Sequence, residues 1–399
     1  MNWTRNIVPP RKRCKIDIET LKSLFLLDPA VNFLNHGSFG ACPRVVFEAY
    51  QRWQLELEHQ PVEFLGRRID GLLDHARAVL ADYVGADHND LVFVPNATTG
   101  VNLVARSLKL KEYDEILTTD HEYGACMYTW QFVAQKTGAR LVQRQMPLPL
   151  TTPDDFVEYF WGGVTERTRV IYISHITSPT ALIFPIDEIC RRARAASIIT
   201  VIDGAHAPGH VPLNLRALNA DFYTGNCHKW MCAPKGSGFL YVRHAYQGLV
   251  EPAIISWGWE DDGSFIAKQQ KQGTRDYAAY LTVPTAIQFL NDHDWATVQT
   301  QCRAMIAGAQ RDLSDLFALP ALAPPMWLGQ MVTARLPACD IVSTKVRLYD
   351  DYQIEIPVID WKEEQFIRVS MQGYNTHSDI AQLITALREI FIHNGSWNR

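Results

Sequence analysis

Val201-Ile202-Asp203-Gly204-Ala205-His206, followed further on by Gly225-Asn226-Cys227-His228-Lys229-Trp230, is the pair of segments that decides the fold. In the first, the apolar, β-branched run 198–202 stops at an aspartate, and its length and composition suit a strand buried on both faces. A buried strand that ends in polar residues fits the carboxyl edge of a parallel sheet, where loops and helix N-termini converge on ligands. Working outward, strand-like runs at 91–94, 115–119, 140–145, 169–174, 198–203, 221–224 and 238–243 alternate with helical patterns such as 99–107, 125–136 and 187–196. The alternation predicts an α/β fold with a mostly parallel seven-stranded sheet covered by helices. Beyond about residue 280 the pattern changes to a long helical stretch, strands at 331–336 and 366–371, and a final helix over 378–392 with Ser378 as its N-cap. The expected organisation is a segment 1–40 packed near the C-terminal unit, a large domain 41–280 and a smaller α+β domain 281–399.

The bulk composition narrows the function classes. With 399 residues, 47% of them hydrophobic, the chain can bury a substantial core. Its 38 basic and 43 acidic side chains are spread without a dominant block, so neither nucleic acid nor an acidic membrane is the expected partner. Eight cysteines without a CxxC pair fit a reducing cytosol and give no metal-ligand spacing. The first twenty residues carry Arg5, Arg11, Lys12, Arg13 and Lys15 but no continuous apolar core, and read as a solvated arm rather than a secretory signal. No apolar run approaches the length of about 18 residues that a membrane span needs.

The polar residues at the strand ends are Asn96-Ala97-Thr98-Thr99, Asp120-His121-Glu122-Tyr123, Ser174-His175, Asp203 to His206, and Asn226 to Lys229. Together they offer a phosphate cradle, an aromatic stack, an acid and an amine, the combination that pyridoxal 5'-phosphate requires. Thr98 and Thr99 open a helix, so backbone N–H groups, hydroxyls and the helix dipole can face a phosphate, although simple capping explains such a pair equally well. Lys229, in an apolar and cation-rich pocket, can lose its proton, attack an aldehyde and later act as acid and base. Asp203 can keep a pyridine nitrogen protonated.

These two segments resemble the Asp-x-Ala-(Gln/His) and His-Lys signatures of the class V aminotransferases, and within them the isopenicillin N epimerase group. The likeness continues through Leu34-Asn35-His36-Gly37-Ser38-Phe39-Gly40, Asp120-His121-Glu122-Tyr123, Gly273-Thr274-Arg275-Asp276 and Ile367-Arg368-Val369-Ser370, in the family's order over nearly the whole chain. The resemblance implies the aspartate aminotransferase-like fold, with the cofactor carried on Lys229 as a Schiff base and His206 near its phenolic oxygen. It places Thr98, Thr99, His228 and Asn226 at the phosphate, the last where the family often has serine. It brings Thr274 to the phosphate of the partner subunit, which makes the protein a homodimer. Tyr123 is the favoured stacking residue and His121 the second. Arg368 grips the α-carboxylate of an amino acid substrate, with Asn35 and His36 beside that carboxylate or the reacting carbon. Ser178 stands where many relatives have asparagine.

The family's desulfurases need a mobile cysteine shortly before the carboxylate arginine, but Tyr352-Gln353-Ile354-Glu355-Ile356-Pro357 contains none and Cys339 lies far upstream. Epimerisation at the α-carbon is the expected reaction, with β-elimination at a C–S bond and transamination as alternatives. A scaffold that kept the pocket without turnover is the reading from another class, and it has no need of Lys229, Asp203 and Arg368 together. Trp257, Trp259, Phe64 and Arg68 lie in segments that suit either a distal pocket or plain packing.

Overall fold

The computed structural model describes residues 18–260 and 263–393, so the basic arm 1–17 lies outside the described residues. Among the described residues, twelve strands form three sheets. In chain order they are β1 Asn32–Phe33, β2 Leu91–Val94, β3 Glu115–Thr119, β4 Arg140–Arg144, β5 Thr168–Ser174, β6 Ile199–Gly204, β7 Phe222–Asn226, β8 Gly238–Val242, β9 Met331–Arg335, β10 Ile354–Glu355, β11 Val358–Trp361 and β12 Glu364–Ser370.

The large sheet has seven strands in the order β2-β8-β7-β6-β5-β3-β4, and all are parallel except β8, which runs against both neighbours. Its central strands carry Val170, Ile171, Ile173, Val201 and Ile202, all buried, because helices cover both faces and each residue meets a packed layer whichever way it points. The helix Ile186–Ala195 shows the corresponding one-sided pattern, burying Ile186, Ile189, Cys190 and Ala193. Helix Ala97–Ser107 comes so close to β7 that a Cβ on Gly100 would sit 2.2 Å from the Thr224 hydroxyl.

The C-terminal sheet, β11-β12-β9, is antiparallel and packs on the long helix Trp295–Phe317. The N-terminal segment joins this part of the molecule: β1 pairs in parallel with β10, and Asn35 bridges to Ser370. The final helix, His377–Arg388, corrects the sequence expectation. Its cap is Thr376, whose side chain accepts from the backbone of Asp379 while the Asp379 carboxylate accepts from the Thr376 N–H at 2.8 Å. Ser378 therefore lies inside the first turn, because a reciprocal pair satisfies two orphan donors where a lone serine satisfies one.

Candidate active site

Register places the main groups side by side. Asp203 pairs with Thr224 and Gly204 with Gly225, so Asp203 and the segment 226–229 leave neighbouring parallel strands at the same edge. The Lys229 amine lies 3.3 Å from His206 Nε2. Its backbone is clamped from the N-terminal segment, where Gly40 has φ 70° and would, with a Cβ, come within 2.1 Å of the His228 carbonyl oxygen. Only glycine fits there. Burial, and then the charge of Arg368, push the Lys229 ammonium down to about 7, with Asp203 pulling the other way.

His36 is held by two contacts inside the protein. One ring nitrogen meets the Tyr374 hydroxyl at 2.9 Å and the other the Lys229 carbonyl oxygen at 3.0 Å. With both nitrogens engaged inside the protein and the ring wholly buried, His36 anchors the lysine's backbone.

Asp203 is buried and accepts from the Ala205 N–H at 2.9 Å and the Tyr172 hydroxyl at 3.1 Å. Burial raises its carboxyl pKa against these two donors. His206 is buried too, and its Nδ1 accepts from the Trp230 indole N–H at 3.3 Å. Burial and the neighbouring Lys229 hold it neutral.

At the start of helix Ala97–Ser107 the cap is Asn96, whose Oδ1 accepts from the Thr99 N–H at 2.9 Å and the Thr99 hydroxyl at 3.1 Å. The Asn226 Oδ1 accepts from the Ala97 N–H at 2.8 Å. Thr99 is thus tied into the cap, whereas the Thr98 N–H, one turn too early for an intrahelical acceptor, is placed to meet an anion on the helix axis. Asn226 spends its carbonyl on the helix, and its amide N–H groups are what it has left for such an anion. His228 donates from Nδ1 to the Ser237 carbonyl at 3.0 Å, and burial lowers its pKa to about 4. Thr274 is exposed on this chain.

Arg368 lies in β12 opposite Thr333. Its guanidinium donates to the Ser178 carbonyl at 2.6 Å and to the Ser38 hydroxyl at 3.1 Å, with the Ser178 hydroxyl at 3.3 Å. It is 4% exposed, no carboxylate pairs with it among the described residues, and burial lowers its pKa to about 10. Glu364, on the same strand, pairs with Arg335. Asn35 is one step removed: its Oδ1 accepts from Ser38, and its amide donates to Glu355 at 2.8 Å.

The loop after β3 separates its two aromatic candidates. His121 is fully buried, bonded through Nδ1 to the Thr180 hydroxyl at 2.7 Å and wedged between Trp361 and Phe184, with ring centroids 4.8 and 5.6 Å away. Tyr123 is 46% exposed. Between them Glu122 is buried, accepting from Thr119 Oγ1 and from the Ser174 N–H and hydroxyl. Burial raises its carboxyl to about 8. Among the residues suggested for a distal pocket, Phe64 is core, and Arg68 pairs with Glu56 and lies over the Phe64 ring.

Sequence reasoning gave no role to Ser38, Asn96, Glu122, Tyr172 or Trp230. Three of these sit inside quoted motifs, and Asn96 three residues before a threonine has the spacing of an N-cap. Tyr172 left no such trace, because its contact with Asp203 comes from neighbouring strands.

A family model described as aminotransferase class V matches residues 40–383. The isopenicillin N epimerase of Amycolatopsis lactamdurans is 36% identical over 91% of this chain and 96% of its own. A probable chloroplastic L-cysteine desulfhydrase of Arabidopsis thaliana is 27% identical over 90% of this chain and 83% of its own. Among solved structures, the apo cysteine desulfurase of Thermococcus onnurineus superposes with a TM-score of 0.81 at 21% identity, covering 93% of this chain and 97% of that one.

Proposed function

The chain belongs to the class V aminotransferase family, whose cofactor is pyridoxal 5'-phosphate, and from that premise we propose that it is an amino acid epimerase working at the α-carbon. The observation that carries an amino acid substrate is Arg368, a buried guanidinium without an acidic partner among the described residues, close enough to Lys229 for their charges to repel. A buried, unpaired cation is costly and calls for an anion. A planar fork already steadied by Ser178 and Ser38 presents its remaining donors to a carboxylate in one orientation.

The residues present fit the cofactor: a buried carboxyl at Asp203, an amine at Lys229 whose pKa is lowered to about 7, and a first-turn backbone N–H at Thr98. The chemistry that pyridoxal phosphate supplies when bound is an electron sink for the charge left on the α-carbon after its proton leaves. In our reading Lys229 holds the cofactor and moves the α-proton. Asp203 keeps the pyridine nitrogen protonated, helped by Tyr172 and Ala205, which orient its two oxygens. Thr98, Asn226 and His228 receive the phosphate, joined by Thr274 of a second copy, and Tyr123 covers the ring.

Support for epimerisation is the 36% identity to an isopenicillin N epimerase over almost all of both chains, and the segment 352–357, without a cysteine, argues against a desulfurase that carries sulfur on its own thiol. Elimination at a C–S bond is the second reading, favoured by the 27% identity to a desulfhydrase. Incubation of amino acids and short peptides in heavy water separates the two. Solvent deuterium at the α-carbon with inversion is the expected result; pyruvate and ammonia would establish the lyase, and a keto acid without ammonia a transaminase.

A further inference from the structure

We propose that Trp230 is a positioning residue that locks His206 in its Nε2–H tautomer and thereby holds Lys229 as a neutral amine, the form that can bond an aldehyde. The proposal rests on the cofactor reading above and adds to it the device that keeps the lysine reactive.

An indole nitrogen can only donate a hydrogen bond. Trp230 Nε1 lies 3.3 Å from His206 Nδ1, and both side chains are buried. A neutral imidazole that accepts at Nδ1 must carry its proton on Nε2. That Nε2 is the atom 3.3 Å from the Lys229 amine. An N–H aimed at nitrogen is satisfied by a lone pair, which an amine has and an ammonium lacks. The contact is therefore favourable only while Lys229 is uncharged, and a protonated lysine would face a donor at the same distance.

The tryptophan has little freedom to abandon this role. Its ring sits between those of His210 and His36, at 4.1 and 4.8 Å. His36 grips the Lys229 carbonyl, and His210 contacts the His206 carbonyl oxygen at 3.1 Å. Tryptophan, histidine and lysine are thus held in one relative placement from three directions. The other groups acting on the pair are Arg368, which opposes the ammonium, Asp203 and Cys126, which favour it, and His210 and His228 beside His206. Of all these, Trp230 alone donates to His206 Nδ1 and so fixes where the imidazole proton resides.

The test uses the full-length protein labelled with nitrogen-15 in its histidines, as purified and after cofactor removal. The His206 ring signals are assigned by their loss in His206→Gln, and their shifts report which nitrogen is protonated. Wild type is expected to carry the proton on Nε2. Trp230→Phe keeps an aromatic ring but removes the donor, so the Nε2–H population should fall. On the cofactor-free protein, reductive methylation of Lys229 by formaldehyde, followed by peptide mass spectrometry against pH, reads the neutral amine directly. In Trp230→Phe its midpoint should move up from about 7 by about 1 pH unit, a ~5-fold loss of labelling at pH 7 that approaches ~10-fold at lower pH. A wild-type proton on Nδ1, or an unchanged tautomer and midpoint in the variant, overturns the proposal. If the variant does not fold, the wild-type tautomer decides alone. Failure of the cofactor reading is a separate result: a wild-type protein that shows the stated tautomer yet gains no visible absorbance with pyridoxal phosphate.

Discussion

Single side chains in this site are defined by what they lack as much as by what they touch. Arg368 bonds to a carbonyl and to hydroxyls but to no acid among the described residues, and in our reading its charge is met by a ligand. Lysine in its place would keep the charge and lose the fork that spans Ser178 and Ser38. Arg368→Lys is expected to lower kcat/KM on the order of 100-fold, mostly through KM, with the cofactor's absorbance retained; steady-state kinetics beside a spectrum checks this. Glu122 makes the complementary case. Its carboxyl, ordinarily at 4.5, stays protonated up to about pH 8 in the folded chain because burial outweighs its three donors. Between those values the native state binds a proton that the unfolded chain releases, so this group's contribution to stability falls as pH rises from about 4.5 to about 8. Glu122→Gln keeps the shape and cannot ionise. Its melting temperature should gain on that of wild type by several degrees between acid and alkaline pH, and parallel curves would refute the assignment.

At the scale of elements, the phosphate end depends on the first turn of the helix Ala97–Ser107 and on what holds that turn open. Asn96 satisfies two Thr99 donors and Asn226 takes Ala97, which aligns the turn with the strand edge at Asp203. Asn96→Ala should cost about 1 kcal/mol of stability, measurable in urea, and should weaken cofactor retention in dialysis more than the same change at an exposed cap such as Asp340. The sequence disclosed most of this architecture. All seven large-sheet strands were readable from their composition, β2 and β3 with their exact ends and the other five with edges displaced by one or two residues, because strand existence follows composition while strand ends follow pairing. The short β10 and the hairpin strand β11 left no signal of that kind: β10 has two residues and gains its place by pairing with β1 from the far end of the chain. The same limit applied to side chains. Lys229, Asp203 and Arg368 stand out by type and position in strand-end motifs. The contacts of His36 with Tyr374 and the Lys229 carbonyl, and of Trp230 with His206, depend on which way a ring rotates, which spacing does not encode.

For the whole molecule, the distribution of apolar surface argues for a second copy. Leu55, Val62, Tyr128 and Trp257 are each more than 70% exposed, with Phe132, Ile254, Ile255 and Trp259 more than half exposed. Isolated exposed hydrophobics are ordinary on a monomer, but this many large ones in three stretches of chain suggest an interface. One of those stretches, 254–259, lies shortly before Thr274, the exposed residue we assign to the partner's phosphate site. Sedimentation at micromolar concentration should give twice the 45.3 kDa of one chain. Trp257→Glu combined with Trp259→Glu should release monomers that bind pyridoxal phosphate more weakly, because each site would then lose the threonine supplied from across the interface. A monomeric wild-type protein that retained full cofactor affinity would remove Thr274 from the site and leave the phosphate to Thr98, Asn226 and His228 alone.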